Sequence, residues 1–594
     1  MPLIDTARFL PGPRLRACYR PVQPLLETAL GLRDLEKRYS RLPDRGDSPA
    51  EFARIALQAL GVTWEMSEDE RNKLSAIPGP VVICANHPCG PVEPLALMAL
   101  LEEARPGDWQ VLANRILSTI PELRPGLIPI EPLCPETGRK SGINGFRQAV
   151  RHLAQCQGTV FIFPAGRVSG WSWELGTVCD RPWSPHPVRL AARTGASLAC
   201  LHVEGSPSRL FLSIPRNWSH LRGLLLAREL TRSPTRHLKI RISQVFIPDQ
   251  TKRLAGQSRP ADRLRAHCYL GPDRALAAAK PPPGIPETTA ETASPAAFAL
   301  ADDIARLKTT GHEAARAGNT TVLLLRGDES EPILTEIGRL REITFRAAGQ
   351  GTGREIDLSP EDQYYHHLVL WDENAAALIG AYRIGFSDTI AAEQGRNALY
   401  LQPMFRFPAR FYQKIGPAME LSRSFIVPSR QRDGRALATL WRGLAAAAQS
   451  RNCRTCYGCV TISNAYHPAS RAILVDFLDR WYGDSHDLRK LVHPRNPFRP
   501  ETRYHRLWTE ALAGEKIDDL RPIIENIENH HRSIPPLIRY YCALGARYLA
   551  FHVEPSFNNA LYCLLRVDIA QLDRRYKSRF GVDRSAKPEP TTAA

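Results

Sequence analysis

No apolar run in this 594-residue sequence reaches the roughly 18 to 20 residues that a membrane-crossing helix needs. The most apolar late stretch, IRYYCALGARYLAFHV, is broken by Arg539, Arg547 and His552. The opening residues, MPLIDTARFLPGPRLR, hold no apolar core of the secretory kind. Cysteine is thin and scattered: 13 residues, an odd number, mostly single. That excludes a disulfide framework and fits reduced thiols in a cytoplasm. Acidic residues are outnumbered, 61 against 78 Lys and Arg, for a net charge of +17. Such a balance favours an anionic partner: nucleic acid, an acidic carrier protein or an anionic membrane surface. Nucleic acid is not expected, because no clustered basic stretch carries interleaved aromatics. No internal repeat is visible.

What is present is a chain too long for one core. A basic segment with helical periodicity covers 1–75. From Val81 to Ile247, strand-like and helix-like pieces alternate, as in VVICA, PLALMALLEEA, WQVLAN, TVFIFPAG and SLACLHVEG. A domain is expected over 76–270. The stretch AAAKPPPGIPETTAETASPAA, rich in Pro, Ala and Thr, reads as a linker within 271–300. A second domain is expected over 301–580 and a disordered tail over 581–594. In it, HHLVLWD and AALIGAYRIG form a hairpin, AMELSRSFIV and CYGCVTIS are strands, and EPILTEIGRLREITFRAA is a helix. The fold class is α/β twice, with a mixed or antiparallel sheet in the second domain. Cys453, Cys456 and Cys459 have a metal-like spacing. A strand sends Cys456 and Cys459 to opposite faces, so the reading is structural and no metal is expected.

In ANHPCGPVE, His87 lies between a strand and a helix, with Glu93 six residues on. From these residues alone, the pair is either a His-Pro turn with a favourable helix N-terminal charge, or a base with its orienting carboxylate. ANHPCGPVE resembles the Asn-His motif of the glycerolipid (lysophosphatidate) acyltransferase superfamily. FIFPAGRVSGW resembles that family's Phe-Pro-Glu-Gly-Thr-Arg-Ser signature. LANRILSTIPEL and LIPIEP are further echoes in the right order. The resemblance implies His87 as base, Glu93 as orienting carboxylate, and Asn114, Gly166, Arg167 and Ser169 near the acceptor. The acid falls one position late, and Ala165 stands where the signature has Glu. These departures resemble the hemolysin-like, ornithine-lipid branch, whose acceptor is a lyso-aminolipid hydroxyl.

A second set lies further on. LREITF (Arg341), REIDLSPED (Asp357, Asp362), GAYRIG (Arg383) and ELSRSF (Glu420, Arg423) resemble the acyl-homoserine-lactone synthase and ornithine N-acyltransferase group of the GNAT fold. VTISNAY and HPRNPFRP fit the bifunctional hemolysin-like relatives. N-acyl transfer needs an uncharged amine, so a carboxylate must take its proton, and Glu420 is the candidate. Asp357 and Asp362 could hold a cationic acceptor and the arginines its carboxylate. Gln431, Gly434 and Ala436 fit a Q-x-x-G-x-A loop whose amides cradle an acyl donor's phosphates; a solvated basic turn is the alternative.

Together these imply a bifunctional, bacterial acyltransferase of aminolipid biosynthesis. The C-terminal half would move a 3-hydroxyacyl chain from acyl carrier protein (or acyl-CoA) to an amino acid, ornithine foremost. The N-terminal half would acylate the 3-hydroxyl of that lyso-aminolipid. No bound cofactor is expected. The expected place is the cytoplasmic face of the inner membrane, with HLRGLLLARELTR (His220–Arg232) either in the interface or facing the core. One rival is a lysophospholipid acyltransferase with an inactive or regulatory GNAT-like half. The other is a non-enzymatic, membrane-active protein.

Overall fold

The computed structural model describes residues 21, 23–130, 135–216, 218–232, 234–278, 297–348, 350–431 and 434–580. The chain divides into two compact units. Unit 1 comprises Met1–Leu276 with Thr502–Ala513, and unit 2 comprises Ala277–Glu501 with Gly514–Ala594.

Unit 1 is built on β1 (Thr63–Glu65), β2 (Val81–Ala85), β3 (Trp109–Asn114), β4 (Leu127–Ile130), β5 (Thr159–Ile162), β8 (Ser197–Glu204) and β9 (His237–Phe246), with a small ribbon of β6 (Gly170–Ser172) and β7 (Thr177–Cys179). The sheet order is β1-β9-β8-β2-β5-β3-β4. Every pair is parallel except β8–β9. β2 is buried along its whole length, which is why VVICA shows no polar alternation. Helix α1 (Val92–Ala104) follows β2 and is buried nearly all round, as its apolar sequence requires. The helices α2 (Pro135–Gln155), α3 (His186–Thr194), α4 (Leu226–Arg232) and α5 (Pro260–Ala278) complete the α/β pattern.

The second domain, expected as one continuous stretch over 301–580, needs one correction. Residues 502–513, placed in the second domain by sequence, belong to unit 1. The cause is aromatic packing. Trp508 is buried and its ring lies 4.6 Å from that of His267, while Tyr504 lies 4.6 Å from Tyr269.

Unit 2 carries an eight-stranded sheet of β10 (Glu313–Ala317), β11 (Thr320–Arg326), β12 (His366–Asp372), β13 (Ala377–Phe386), β15 (Ala418–Ile426), β16 (Thr455–Ile462), β18 (Arg547–Glu554) and β19 (Ala560–Asp568). A two-stranded ribbon pairs β14 (Phe405–Arg406) with β17 (His493–Pro494). The order is β10-β11-β12-β13-β15-β16-β19-β18. All pairs are antiparallel except β15–β16. Alternation splits each strand between two helices. Val322, Leu368 and Leu370 pack with α7 (Gly434–Ser450), while Leu323, Leu325 and Val369 pack with α6 (Glu331–Ala347). Gly443 lets α7 approach closely, because a Cβ there would meet Val322 Cγ1 at 2.5 Å. Cys456 and Cys459 do fall into different clusters, on opposite faces of β16. Among the described residues, no helix is long and apolar enough to cross a membrane.

Candidate functional site

In unit 1, the parallel strands β2, β3, β4 and β5 end at one edge. A cavity of about 220 Å³ opens there, lined by His87, Asn114, Ile130, Phe163 and Arg167 among others. The crevice outside the carboxyl ends of parallel strands is the usual ligand position in such sheets. Asn86 fixes the end of β2: its amide donates to Val203 O at 2.9 Å and accepts from Val203 N–H at 2.7 Å. The next residue, His87, turns into the cavity and stacks on Phe163, with centroids 4.2 Å apart. Its Nδ1 lies 3.6 Å from Glu93 Oε1. Glu93 is fully buried in the first turn of α1, where the helix dipole favours its charge. The same oxygen accepts the Cys89 N–H, so the carboxylate folds back over its own loop. The two readings of His87 therefore merge. The His-Pro turn and the dipole-stabilised Glu93 are what bring the imidazole and the carboxylate together.

A residue that sequence reading missed holds this turn. Asp180, fully buried, accepts the His87 backbone N–H at 3.2 Å and the Ser169 hydroxyl through one oxygen. Its other oxygen accepts Trp183 Nε1 at 2.8 Å, and its own N–H donates to Tyr269 at 2.9 Å. Ser169 N–H donates to His87 O at 2.8 Å. Asp180 lies 93 residues after His87 in sequence, in a segment with no motif of its own, so no local signal exposed it.

The remaining unit 1 expectations divide. Asn114, Gly166 and Arg167 line the cavity, with Gly166 at φ 62°, where a glycine is favoured. Ser169 is buried on the support side and does not line it; it clamps the His87 loop instead of meeting an acceptor. Two arginines that the motifs did not name, Arg216 and Arg222, also line the cavity. Both flank Gly170: a Cβ there would meet Arg222 Nη1 at 3.0 Å and Arg216 Nε at 3.1 Å. Arg222 is buried, donates to Ser169 O at 2.6 Å, and lies over the Phe211 ring at 4.3 Å. Burial, followed by the like charges of Arg181, Arg216 and Arg167, brings its guanidinium down to about 10. His220–Arg232, left open between interface and core, forms two short helices of mixed exposure: Leu224 is exposed while Ala227, Glu229 and Thr231 are buried.

In unit 2, β15 and β16 pair only over Ala418–Leu421 and Thr455–Gly458. Beyond that the strands part, and a cavity of about 80 Å³ lies between Leu421–Ser424 and Cys459–Thr461. Glu420 sits just inside the point of divergence, opposite Tyr457. It is fully buried and accepts from Tyr365 at 3.0 Å and from Tyr457 at 3.2 Å. Burial pushes its carboxyl up to about 7, against the hydrogen bonds of both tyrosines and the charge of Arg383.

The five charged side chains next to it pair with one another and are not open to a cationic ligand, and this corrects the role expected for Asp357 and Asp362. Arg341 donates to Asp357 Oδ2 at 2.9 Å and to both oxygens of Asp362 at 3.0 Å. Arg383 reaches Asp362 at 3.2 Å and Arg423 reaches Asp357 at 3.2 Å. All five side chains are at least nine-tenths buried. Burial alone would raise the Asp362 carboxyl; Arg383 and Arg341 hold it well below the usual range. Two carboxylates thus serve three guanidiniums, leaving one cation in excess. Arg423 is the member that also lines the cavity, over Phe557 at 4.3 Å. Its φ of 53° lies in the left-handed region, which is unusual for a side-chain-bearing residue.

The proposed donor loop lies at the start of α7. Gln431 donates to Ile426 O at 3.0 Å and Gly434 is exposed at the helix start. Arg432 and Asp433 lie outside the described residues. Ala436 is a core residue facing the sheet, not a donor contact.

Comparisons with known proteins agree with this division. Residues 5–247 match the family model described as acyltransferase, and residues 340–442 the GNAT acetyltransferase domain. The chain is 33% identical over 229 residues to a glycine N(alpha)-acyltransferase of Phocaeicola vulgatus, covering 36% of this chain and 69% of that protein. It is 32% identical over 240 residues to a glycine N(alpha)-acyltransferase of Bacteroides thetaiotaomicron, covering 38% and 70%. It is 24% identical over 249 residues to an L-ornithine N(alpha)-acyltransferase of Agrobacterium fabrum, covering 41% and 77%.

Proposed function

Because the chain belongs to the bacterial Nα-acyltransferase family and joins a GNAT domain to an acyltransferase domain in one polypeptide, we propose that it makes a doubly acylated aminolipid. Unit 2 moves a 3-hydroxyacyl chain from a carrier thioester to an amino-acid amine. Unit 1 then esterifies the new 3-hydroxyl. The observation that supports this reading is the presence, in one chain, of two separate candidate bases: His87 with Glu93 at the unit 1 cavity, and the buried Glu420 where β15 and β16 part, one residue before the stretch that lines the unit 2 cavity.

Each base suits its nucleophile. A carboxyl brought to about 7 is ionised for a useful fraction of the time near neutrality, yet is basic enough to take a proton from an ammonium. In unit 2 it does so directly or through a water, and the free amine attacks the thioester carbonyl lying between the parted strands. Tyr457 and Tyr365 hold Glu420 in place. In unit 1 the imidazole of His87 takes the hydroxyl proton as the oxygen attacks, and Glu93 stabilises the imidazolium. His87 then returns the proton to the departing thiolate.

The acceptor amino acid is read through its carboxylate by Arg423. The described residues lining the cavity include no Asp or Glu to take a side-chain ammonium. Of the two acceptors named for the relatives, this favours glycine over ornithine. An acidic carrier protein is supported by an exposed cleft bearing Arg406, Lys490, His493 and Arg495. A membrane surface is supported by exposed Trp173, Trp218, Leu210 and Leu224 in segments that flank the unit 1 cavity. The test is to incubate purified full-length protein with 3-hydroxyacyl carrier protein, unsubstituted acyl carrier protein thioester and glycine or ornithine. Sequential appearance of the amide and then the ester supports the reading; ester formation on a lysophospholipid with no amino-acid dependence would favour the single-activity rival.

A further inference from the structure

Three guanidiniums line the unit 1 cavity and a fourth lies near them, and among the described residues no carboxylate forms an ion pair with any of the four. Arg167, Arg216 and Arg222 line it beside His87, and Arg181 is close enough that its charge depresses Arg222. Arg216 and Arg222 each spend one nitrogen on a main-chain carbonyl, Cys179 O and Ser169 O. The Nε atoms of both are buried with no hydrogen-bond partner. The carboxylate whose charge reaches Arg222 is Glu229, and it is already committed, accepting Ser208 N–H at 2.8 Å and the Ser208 hydroxyl at 2.5 Å. Arg222 is buried, Arg181 and Arg216 are half-buried and Arg167 is exposed at the mouth; like charges converging on a partly desolvated cavity repel, and a ligand that supplies negative charge there would relieve that repulsion.

The chemistry of unit 2 supplies that ligand. A free neutral amino acid is a zwitterion. Acylation of its amine converts an ammonium into a neutral amide and leaves a lone carboxylate. The product of unit 2 is therefore an anion where its starting material had no net charge. We propose that Arg167, Arg181, Arg216 and Arg222 form a receptor for the free carboxylate of the N-acylated amino acid, holding it with its 3-hydroxyl at His87 Nε2. This rests on the two-step reading above and deepens it. The cluster admits an acceptor only after the amide exists, so the order of the two acylations is built into the charge of the second site. Planar guanidiniums suit a carboxylate bidentately.

The test uses the full-length protein and N-octanoylglycine, which lacks the 3-hydroxyl and cannot be esterified. Phenylglyoxal modification of arginines is followed by peptide mass spectrometry. N-octanoylglycine is expected to slow modification of peptides bearing Arg167, Arg181 and Arg216 about fivefold or more. Its methyl ester, which lacks the charge, is expected to change it by less than about twofold. In parallel, R216Q/R222Q is expected to raise KM for N-(3-hydroxyoctanoyl)glycine about 30-fold, a loss typical of truncating one partner of a buried charge pair; R216K/R222K should recover part of it. Equal protection by acid and ester overturns the proposal. So does stronger protection by a lysophosphatidate of the same chain length, which assigns the cluster to phosphate. Because the probe cannot react, protection that persists while O-acyl transfer is undetectable upholds the carboxylate site and removes the two-step reading instead.

Discussion

His87 and Glu420 are placed in opposite surroundings. His87 sits in a loop at the carboxyl edge of the unit 1 sheet, against a cavity of about 220 Å³. Glu420 sits on a strand in the middle of a sheet and is completely buried. The contrast follows from the groups themselves. An imidazole is a competent base for a hydroxyl once a carboxylate orients it. A carboxylate in water is far too weak a base for an ammonium, so it has to be desolvated before it is useful. Unit 1 therefore spends its buried charge on supports, Glu93 and Asp180, while unit 2 buries the proposed base itself beside three guanidiniums that share two carboxylates.

The sharpest way to break this comparison is to remove each base in turn. His87→Ala should lower O-acyl transfer about 10³- to 10⁴-fold and leave N-acyl transfer unchanged. Product analysis of the purified variant checks this. Glu420→Gln keeps the shape and should lower N-acyl transfer about 10²- to 10³-fold while a supplied N-(3-hydroxyacyl) amino acid is still esterified. The burial of Glu420 sets a pH signature. Its carboxyl must be ionised to act and its value is raised to about 7, so kcat/KM for N-acyl transfer should rise with pH through about 7 and fall about tenfold per unit below it. A base of ordinary carboxylate strength would give a flat profile from pH 5.5 upward.

Supports should cost less than bases. Asp180→Asn keeps the packing but weakens the acceptor of the His87 N–H. It should lower kcat for O-acyl transfer about tenfold with KM little changed. A drop in thermal stability with unchanged kcat would mean that Asp180 serves only the fold. The smallest effect belongs to the rim. Trp173→Ala with Trp218→Ala should weaken sedimentation with anionic vesicles a few-fold, with no effect on transfer to soluble acceptors.

Much of this was legible in the sequence because the signals are local. ANHPCGPVE puts a histidine, a turn and a helix-start carboxylate within seven residues, and VVICA announces a strand buried on both sides. The hairpin of β12 and β13 and the helices α6 and α7 follow from periodicity alone. What was not legible depends on distant partners. Asp180 reveals itself only through contacts with His87, Ser169 and Tyr269. Residues 502–513 leave unit 2 because Trp508 and Tyr504 find aromatic partners on α5. Asp357 and Asp362 suit a cationic ligand by residue type, but three arginines from separate elements occupy them. Arg216 and Arg222 carry no motif; they show themselves only by lining the cavity with no ion-pair partner among the described residues.

The measurement that tests the central claim most directly is lipid mass spectrometry of a host that makes no aminolipid and carries the intact gene, the His87→Ala gene or the Glu420→Gln gene. Two bases serving two sequential acylations predict a diacylated aminolipid from the first, its monoacylated lyso form alone from the second, and neither from the third. Diacylated lipid from the His87→Ala host, with the protein folded and well expressed, would contradict it.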